Sequence, residues 1–361
     1  MEEILIDSDE ALRGVRRQIG EHPDLVVAMD LEADSLHSYR EKICLMQLCF
    51  GETLALIDPL PGTTSHEEQE RFLYLLDDRE VWFHGADFDM TLMLRTFGHI
   101  PFRIWDTQLA ARLLGEPKFG LGNLIEAYFD VHLPKSHQKA NWGARPLPEK
   151  LLKYAYDDVR YLLPLADKLV ESLHEKGRWE WFREWCEVSR EAVLGRKERS
   201  PDEIWRISGW GKLSRRALAY LRELWFWRDR ESEERDLPPF KVMNNQRLLE
   251  LAERLAEGET VEWEKWVRRN QVDAARGAVA RAAALPSAEW PKRRLAKERG
   301  KEEEWDEGVY QKLRQQRDEA ANDLGLDPTI VATRGVLETL SQDGSSPEEH
   351  LMKWQRSLLF P

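Results

Sequence analysis

Cysteine is scarce in this chain, a basic excess is absent, and no apolar run is long enough to cross a membrane. Cys44, Cys49 and Cys186 are the only cysteines in 361 residues, and they lack the paired spacing of a zinc site. Cys44 and Cys49 fall in an apolar, strand-like stretch, so all three read as reduced and structural, which excludes a disulfide-built scaffold. No segment approaches the roughly 20 consecutive apolar residues that a span requires. The opening MEEILIDSDE is acidic where a secretory leader would be basic and then apolar. A cytoplasmic protein is therefore expected, with no membrane association and no obligate protein partner. Lys and Arg number 53 against 66 Asp and Glu, a formal net charge of −13. That balance counts against nucleic-acid affinity resting on overall charge, but it does not speak for local patches. A carboxylate cluster built to hold divalent cations is itself acidic before they arrive.

The length suits two or three domains, each large enough to bury a core. All but three tryptophans (Trp82, Trp105 and Trp142) lie at or beyond Trp179, so the construction changes near there. Up to about residue 170 strand-like and helix-like patterns alternate, the habit of an α/β domain. DLVVAMDLEA (24–33), CLMQLCFG (44–51), TLALIDP (53–59) and VWFHGA (81–86) read as strands, and HEEQERFLYLLDD (66–78) as a helix. A further helix begins near Asp87 with a stop at Gly98, and IWDTQLAARLLG (104–115) reads as a strand end entering a helix. LGNLIEAYFDV (121–131) and the long run 149–177 read as helices. Between them the polar segment 133–148 is expected to be a mobile loop, with Lys135, His137, Lys139, Asn141 and Trp142 placed to close over a substrate's phosphates. Beyond 178 only helical patterns occur. The expected division is 1–177, a linker helix at 178–199, a helical unit at 200–285, and a second, degenerate copy at 286–361.

Three acidic clusters carry the chemistry. Asp30 and Glu32 stand two apart in the strand 24–33, so the period of two puts both carboxylates on one face. A strand that has just buried Leu25, Val26, Val27 and Met29 does not ordinarily go on to carry two acids unless something cationic sits beside them, although an isolated D-x-E more often means only that the strand has reached solvent. Asp87 and Asp89 lie in the first turn of the helix after VWFHGA, where the dipole favours acids as mere caps. Tyr154 and Asp158 are four apart and share one helix face, while Asp157 points elsewhere. Each cluster alone has a bland reading as cap, surface pair or solvated strand end. Together they bring four acids from separate segments to one sheet edge, which is costly unless divalent cations neutralise them.

The order Asp30-x-Glu32, His84 to Asp89, and Tyr154 to Asp158 resembles the DEDD exonuclease superfamily in its tyrosine-bearing subset. The stretches DLEADSLHSYREKICLMQL, FHGADFDMTLM, DTQLAARLLG and YAYDDVRYLLPL are most similar to the ribonuclease D family over about the first 170 residues. Residues 200–285 resemble the HRDC domain, a helical nucleic-acid-binding module. The resemblance implies a ribonuclease-H-like mixed-sheet α/β exonuclease domain followed by all-α HRDC-like domains. It implies a 3′→5′ exoribonuclease that releases nucleoside 5′-monophosphates from single-stranded RNA 3′ ends, such as those of tRNA precursors. Two divalent ions, Mg²⁺ or Mn²⁺, would be held by Asp30, Glu32, Asp89 and Asp158, and Tyr154 would position the attacking water or assist its deprotonation. Asp87 offers a second acid beside Asp89, and Asp89 is preferred on its spacing from His84. Asp106 is expected to cap a helix and His84 to be structural. The rival readings are a DNA-directed exonuclease of the same chemistry and a non-catalytic RNA-binding protein that has kept the fold.

Overall fold

The computed structural model describes residues 1–133, 137, 139–197, 200–293 and 305–360. Its contacts divide the chain into one unit of residues 1–34, 42–196 and 302–361 and another of 35–41 and 197–301.

The first unit is built on a six-stranded sheet of β1 (Glu2–Ile6), β2 (Val27–Ala33), β3 (Ile43–Phe50), β4 (Thr53–Ile57), β5 (Glu80–Phe83) and β6 (Arg103–Asp106), in the order β1-β4-β3-β2-β5-β6. β3 runs antiparallel to β2 and β4, whereas β1 with β4, β2 with β5 and β5 with β6 are parallel. Every residue of β3 and β4 is buried, as strands covered on both faces must be. One face is covered by α1 (Asp9–Gly20), α2 (His66–Leu75) and α3 (Asp87–Phe97), whose Leu12, Ile19, Phe72 and Met93 pack with Met29, Leu48 and Ile57. The other carries α4 (Thr107–Leu114), α5 (Leu121–Phe129), α6 (Glu149–Arg160), α7 (Leu162–Glu175) and α8 (Trp179–Leu194), with Leu113, Ala155, Leu169 and Phe182 packed on Ala28, Leu45 and Leu56. Along β2 this alternation sends Val27, Met29 and Leu31 into the first core and Ala28 into the second. The same period of two carries Asp30 and Glu32 to the face beneath α6.

Two stretches of the first unit depart from the sequence expectations. β1 and α1 were not anticipated, because EEILI has too few buried positions to read as a strand: only Ile6 is fully buried, and β1 pairs on one side alone. The helix expected over 149–177 is two helices. Pro164 has no N–H to give the Arg160 carbonyl and its ring clashes there, so α6 ends at Arg160 and α7 starts afresh.

The second unit contains α9 (Arg215–Glu234), α10 (Pro239–Val242), α11 (Asn245–Glu257) and α12 (Val272–Ala284), and no strand among its described residues. Trp205, Leu221, Trp227, Leu248, Leu251 and Ala278 form its core. Trp227 is thus core, and Arg228 is buried, donating to the Met243 carbonyl and to Asn245.

The C-terminal residues form α13 (Glu307–Leu324), α14 (Pro328–Val331), α15 (Arg334–Leu340), α16 (Pro347–His350) and α17 (Lys353–Leu359). They have a small core of their own around Tyr310, Leu313, Val331 and Leu337. Leu326, Ile330 and Trp354 instead join the core of the sheet-bearing unit, and Trp354 stacks on Trp181 at 4.9 Å between centroids. The Arg178 guanidinium ties the two together, donating to the carbonyls of Leu113 and Leu324 at 2.6 Å each.

Candidate active site

The site grows from β2. Asp30 and Glu32 project from the strand toward α6, and the intervening Leu31 turns into the opposite core but offers its backbone N–H to Asp89 Oδ1 at 3.1 Å. Asp89 reaches that point because β5 passes into α3 through a tight turn. Gly85 adopts a φ of +75°, a left-handed conformation that glycine takes without strain. The turn is held by Asp106, whose Oδ1 accepts from Gly85 N–H at 2.8 Å and whose Oδ2 accepts from Ala86 N–H at 3.0 Å. Asp106 Oδ1 also accepts from Gln108 N–H and so caps α4, as expected. One carboxylate therefore fixes the start of two helices, the first of which carries Asp89. His84 is held by Thr107 at 2.9 Å, and burial pushes its pKa down to about 4. Asp87 is exposed and paired with Arg196, whereas Asp89 is buried against β2.

α6 delivers the remaining groups. Asp30, Glu32 and Asp158 each bring a carboxylate oxygen to within 4.8 Å of the others, a spacing that suits a common cation. Asp89 lies beside this trio, within reach of the Asp30 charge, and is joined to β2 through the Leu31 amide. Tyr154 shares a hydrogen bond with Asp158. Burial raises Asp30 to about 7. It raises Asp158 to about 8, with the Asp30 charge adding to the effect. Glu32 is pushed to about 10 by burial and then by Asp30, Asp158 and Asp89. Asp89 is held well above the usual carboxylate range by burial first and Asp30 second. Tyr154 is likewise raised by burial and by the carboxylates around it. Acids buried and crowded together in this way are short of positive charge, and a hard divalent cation with oxygen ligands is the group they fit. The carboxylates open onto a cleft of about 450 Å³, walled by His84, Gln108, Asn123, Leu121 and Leu133.

The segment read as a mobile loop is anchored over its later part. Arg145 donates to both oxygens of Asp58 at 2.5 and 2.9 Å, and to the carbonyls of Cys44, Trp142 and Ala144. Asp58 is 87 residues away in sequence, so no local pattern announces the pair. With the chain fixed there, Trp142 is 1% exposed and packs against Tyr154 at 6.0 Å between centroids. His137 meets the same ring edge-on at 5.6 Å. Lys135 lies outside the described residues.

Comparison with known proteins places these features in a family setting. Residues 4–174 match a family model described as 3′-5′ exonuclease, and residues 217–259 match the HRDC domain. A ribonuclease D from Gluconacetobacter diazotrophicus is 31% identical over 305 residues, which cover 82% of this chain and 76% of that protein. The Escherichia coli ribonuclease D is 34% identical over 253 residues, 69% of this chain and 65% of its own length. The crystal structure of Escherichia coli RNase D, described as an exoribonuclease involved in structured RNA processing, matches with a TM-score of 0.73 at 25% identity over the whole of both chains. A protein from Bifidobacterium adolescentis matches with a TM-score of 0.78 at 25% identity, over 99% of this chain and 97% of that one.

Proposed function

This chain belongs to the ribonuclease D family, and from that premise we propose that it is a 3′→5′ exoribonuclease that hydrolyses RNA from its free 3′ end and releases nucleoside 5′-monophosphates. The observation that carries the reading is the convergence of Asp30, Glu32 and Asp158 on one point, with Asp89 beside them, at the wall of a cleft large enough for a terminal nucleotide. Asp30, Glu32 and Asp158 would hold one divalent ion, and Asp89 with Asp30 a second. Their oxygen donors favour Mg²⁺ or Mn²⁺ over zinc. Such ions, when bound, supply a nucleophilic water and stabilise charge on the entering and leaving oxygens of the phosphodiester.

The protein's own groups do the rest. Tyr154, hydrogen-bonded to Asp158 at the cleft wall, would position the attacking water or assist its deprotonation. Asp158, bonded to Tyr154, fixes the direction of that hydroxyl. Glu32 stands at the cleft wall where a terminal 3′-hydroxyl can meet it, which confines attack to the last nucleotide. Natural substrates of this kind include the 3′ ends of structured RNAs such as tRNA precursors.

A 5′-labelled single-stranded RNA and a DNA of matched sequence, each incubated in Mg²⁺, Mn²⁺ or EDTA, test the proposal. The expected result is a ladder that shortens from the 3′ end of the RNA, requires metal, and outpaces the DNA. Faster cleavage of the DNA would move the assignment to a DNA-directed exonuclease, and no cleavage of either strand would leave only binding.

A further inference from the structure

β3 carries a polar residue where the sheet allows none without cause. Gln47 is fully buried in ICLMQLCF, and both its amide nitrogen and its amide oxygen are without a hydrogen-bond partner. A buried amide left unpaired at both ends calls for an explanation, because such groups in folded proteins nearly always find a partner, a water or an ion. The register supplies one. Gln47 lies directly opposite Asp30 in the antiparallel β2–β3 pair. Directly opposed residues of such a pair point to the same face, with Cβ atoms roughly 5 Å apart. That face is the one covered by α6, since Leu45 and Cys49, two positions to either side of Gln47, lie in the same core as Ala155 and Val159 of α6. The Gln47 side chain, two carbons and an amide long, can therefore span the gap to the Asp30 carboxylate.

We propose that Gln47 is a positioning residue for Asp30: in the cation-loaded site its amide N–H donates to the Asp30 carboxylate and fixes the direction in which that carboxylate meets the metal. The inference rests on the metal-centre reading above and deepens it. Groups that hydrogen-bond a ligating carboxylate orient it and tune its affinity for the ion. It also gives the buried amide nitrogen a partner, one acquired with the cation. A purely structural glutamine would make its bonds in the metal-free protein, where Gln47 makes none among the described residues.

Gln47→Met keeps the length of the side chain and removes the amide. The experiment is calorimetric titration of the full-length protein with Mn²⁺ in the absence of RNA, alongside thermal unfolding in EDTA. The expected result is a variant at least as stable as the wild type in EDTA whose Mn²⁺ affinity is about 10-fold weaker or more. Unchanged Mn²⁺ affinity overturns the proposal, whatever the stability in EDTA. If Gln47→Met does not fold, Gln47→Asn, whose amide falls one carbon short of Asp30, replaces it in the same titration with the same expectation. A wild type that binds no Mn²⁺ would overturn the metal-centre reading itself, whereas a wild type that binds and a variant that binds equally well would overturn only the role of Gln47.

Discussion

At the scale of single residues, the decisive groups are carboxylates that are short of positive charge. Asp30, Asp158 and Glu32 have folded-state pKa values of about 7, 8 and 10, all above those of carboxylates in an unfolded chain. The folded state then binds more protons than the unfolded state, so the metal-free protein loses stability as pH rises from the ordinary carboxylate range through neutrality. Asp30→Asn removes one of the competing charges. In EDTA at pH 8 it should be more stable than the wild type, by on the order of 1–3 kcal/mol. At pH 5, where the wild-type cluster is largely protonated, the difference should shrink. Thermal unfolding at the two pH values checks this, and an Asp30→Asn protein less stable than the wild type at pH 8 would contradict it. Asp30, Glu32 and Asp158, whose carboxylates the structure brings together, could be picked out in the sequence because strand period and helix turn are local rules, whereas Asp89 was preferred to Asp87 on its spacing from His84. Asp106 was visible only as a cap, since its second task, fixing the turn that delivers Asp89, joins residues 20 and 21 positions apart. Gln47 was hidden for another reason: within an apolar strand a lone glutamine does not alter the pattern, and its importance lies in the register.

At the scale of elements, the segment before α6 is a brace for it. Asp58 is nearly buried and receives two bonds from Arg145. Removing the guanidinium leaves that carboxylate without its cation and three backbone carbonyls without a donor. Arg145→Ala should therefore cost about 3 kcal/mol or more in a denaturant titration. It should also lower kcat more than it raises KM, because Trp142 would no longer be held against Tyr154. Wild-type stability in Arg145→Ala would show that the brace carries no load. Proline and polar composition made 133–148 read as mobile, and composition cannot reveal an ion pair made across 87 residues. The break between α6 and α7 has a local signal in Pro164, masked by the uninterrupted helical periodicity around it. β1 had no comparable signal, for its pairing depends on β4 arriving beside it.

At the scale of the whole molecule, charge and packing are unevenly shared. Residues 197–301 hold 24 Lys and Arg against 18 Asp and Glu, although the chain as a whole carries −13. The acidity that weighed against a nucleic-acid enzyme is thus concentrated outside the helical unit, in the part that holds the carboxylate cluster. We propose that residues 200–285 are an HRDC-like domain and that 286–361 are a second, degenerate one. The C-terminal helices are nonetheless packed into the sheet-bearing unit through Trp354, Arg178 and a close approach of two backbones. A Cβ on Gly115, at a φ of +85°, would stand 2.3 Å from the Gly325 carbonyl oxygen. Gly115→Ala should destabilise the protein by about 1–3 kcal/mol from the backbone alone, and by more from the clash. It should also open the C-terminal helices to proteolysis before the sheet-bearing core; simultaneous cleavage of both at the wild-type rate would contradict this.

Anomalous diffraction from crystals of the wild type soaked in Mn²⁺ tests the metal centre most directly. The expected result is a manganese peak bound by Asp30, Glu32 and Asp158, with a second peak between Asp30 and Asp89, both lost in Asp30→Asn. Density without manganese among these carboxylates, or manganese held only elsewhere on the chain, would contradict the assignment of this cluster as the catalytic metal centre.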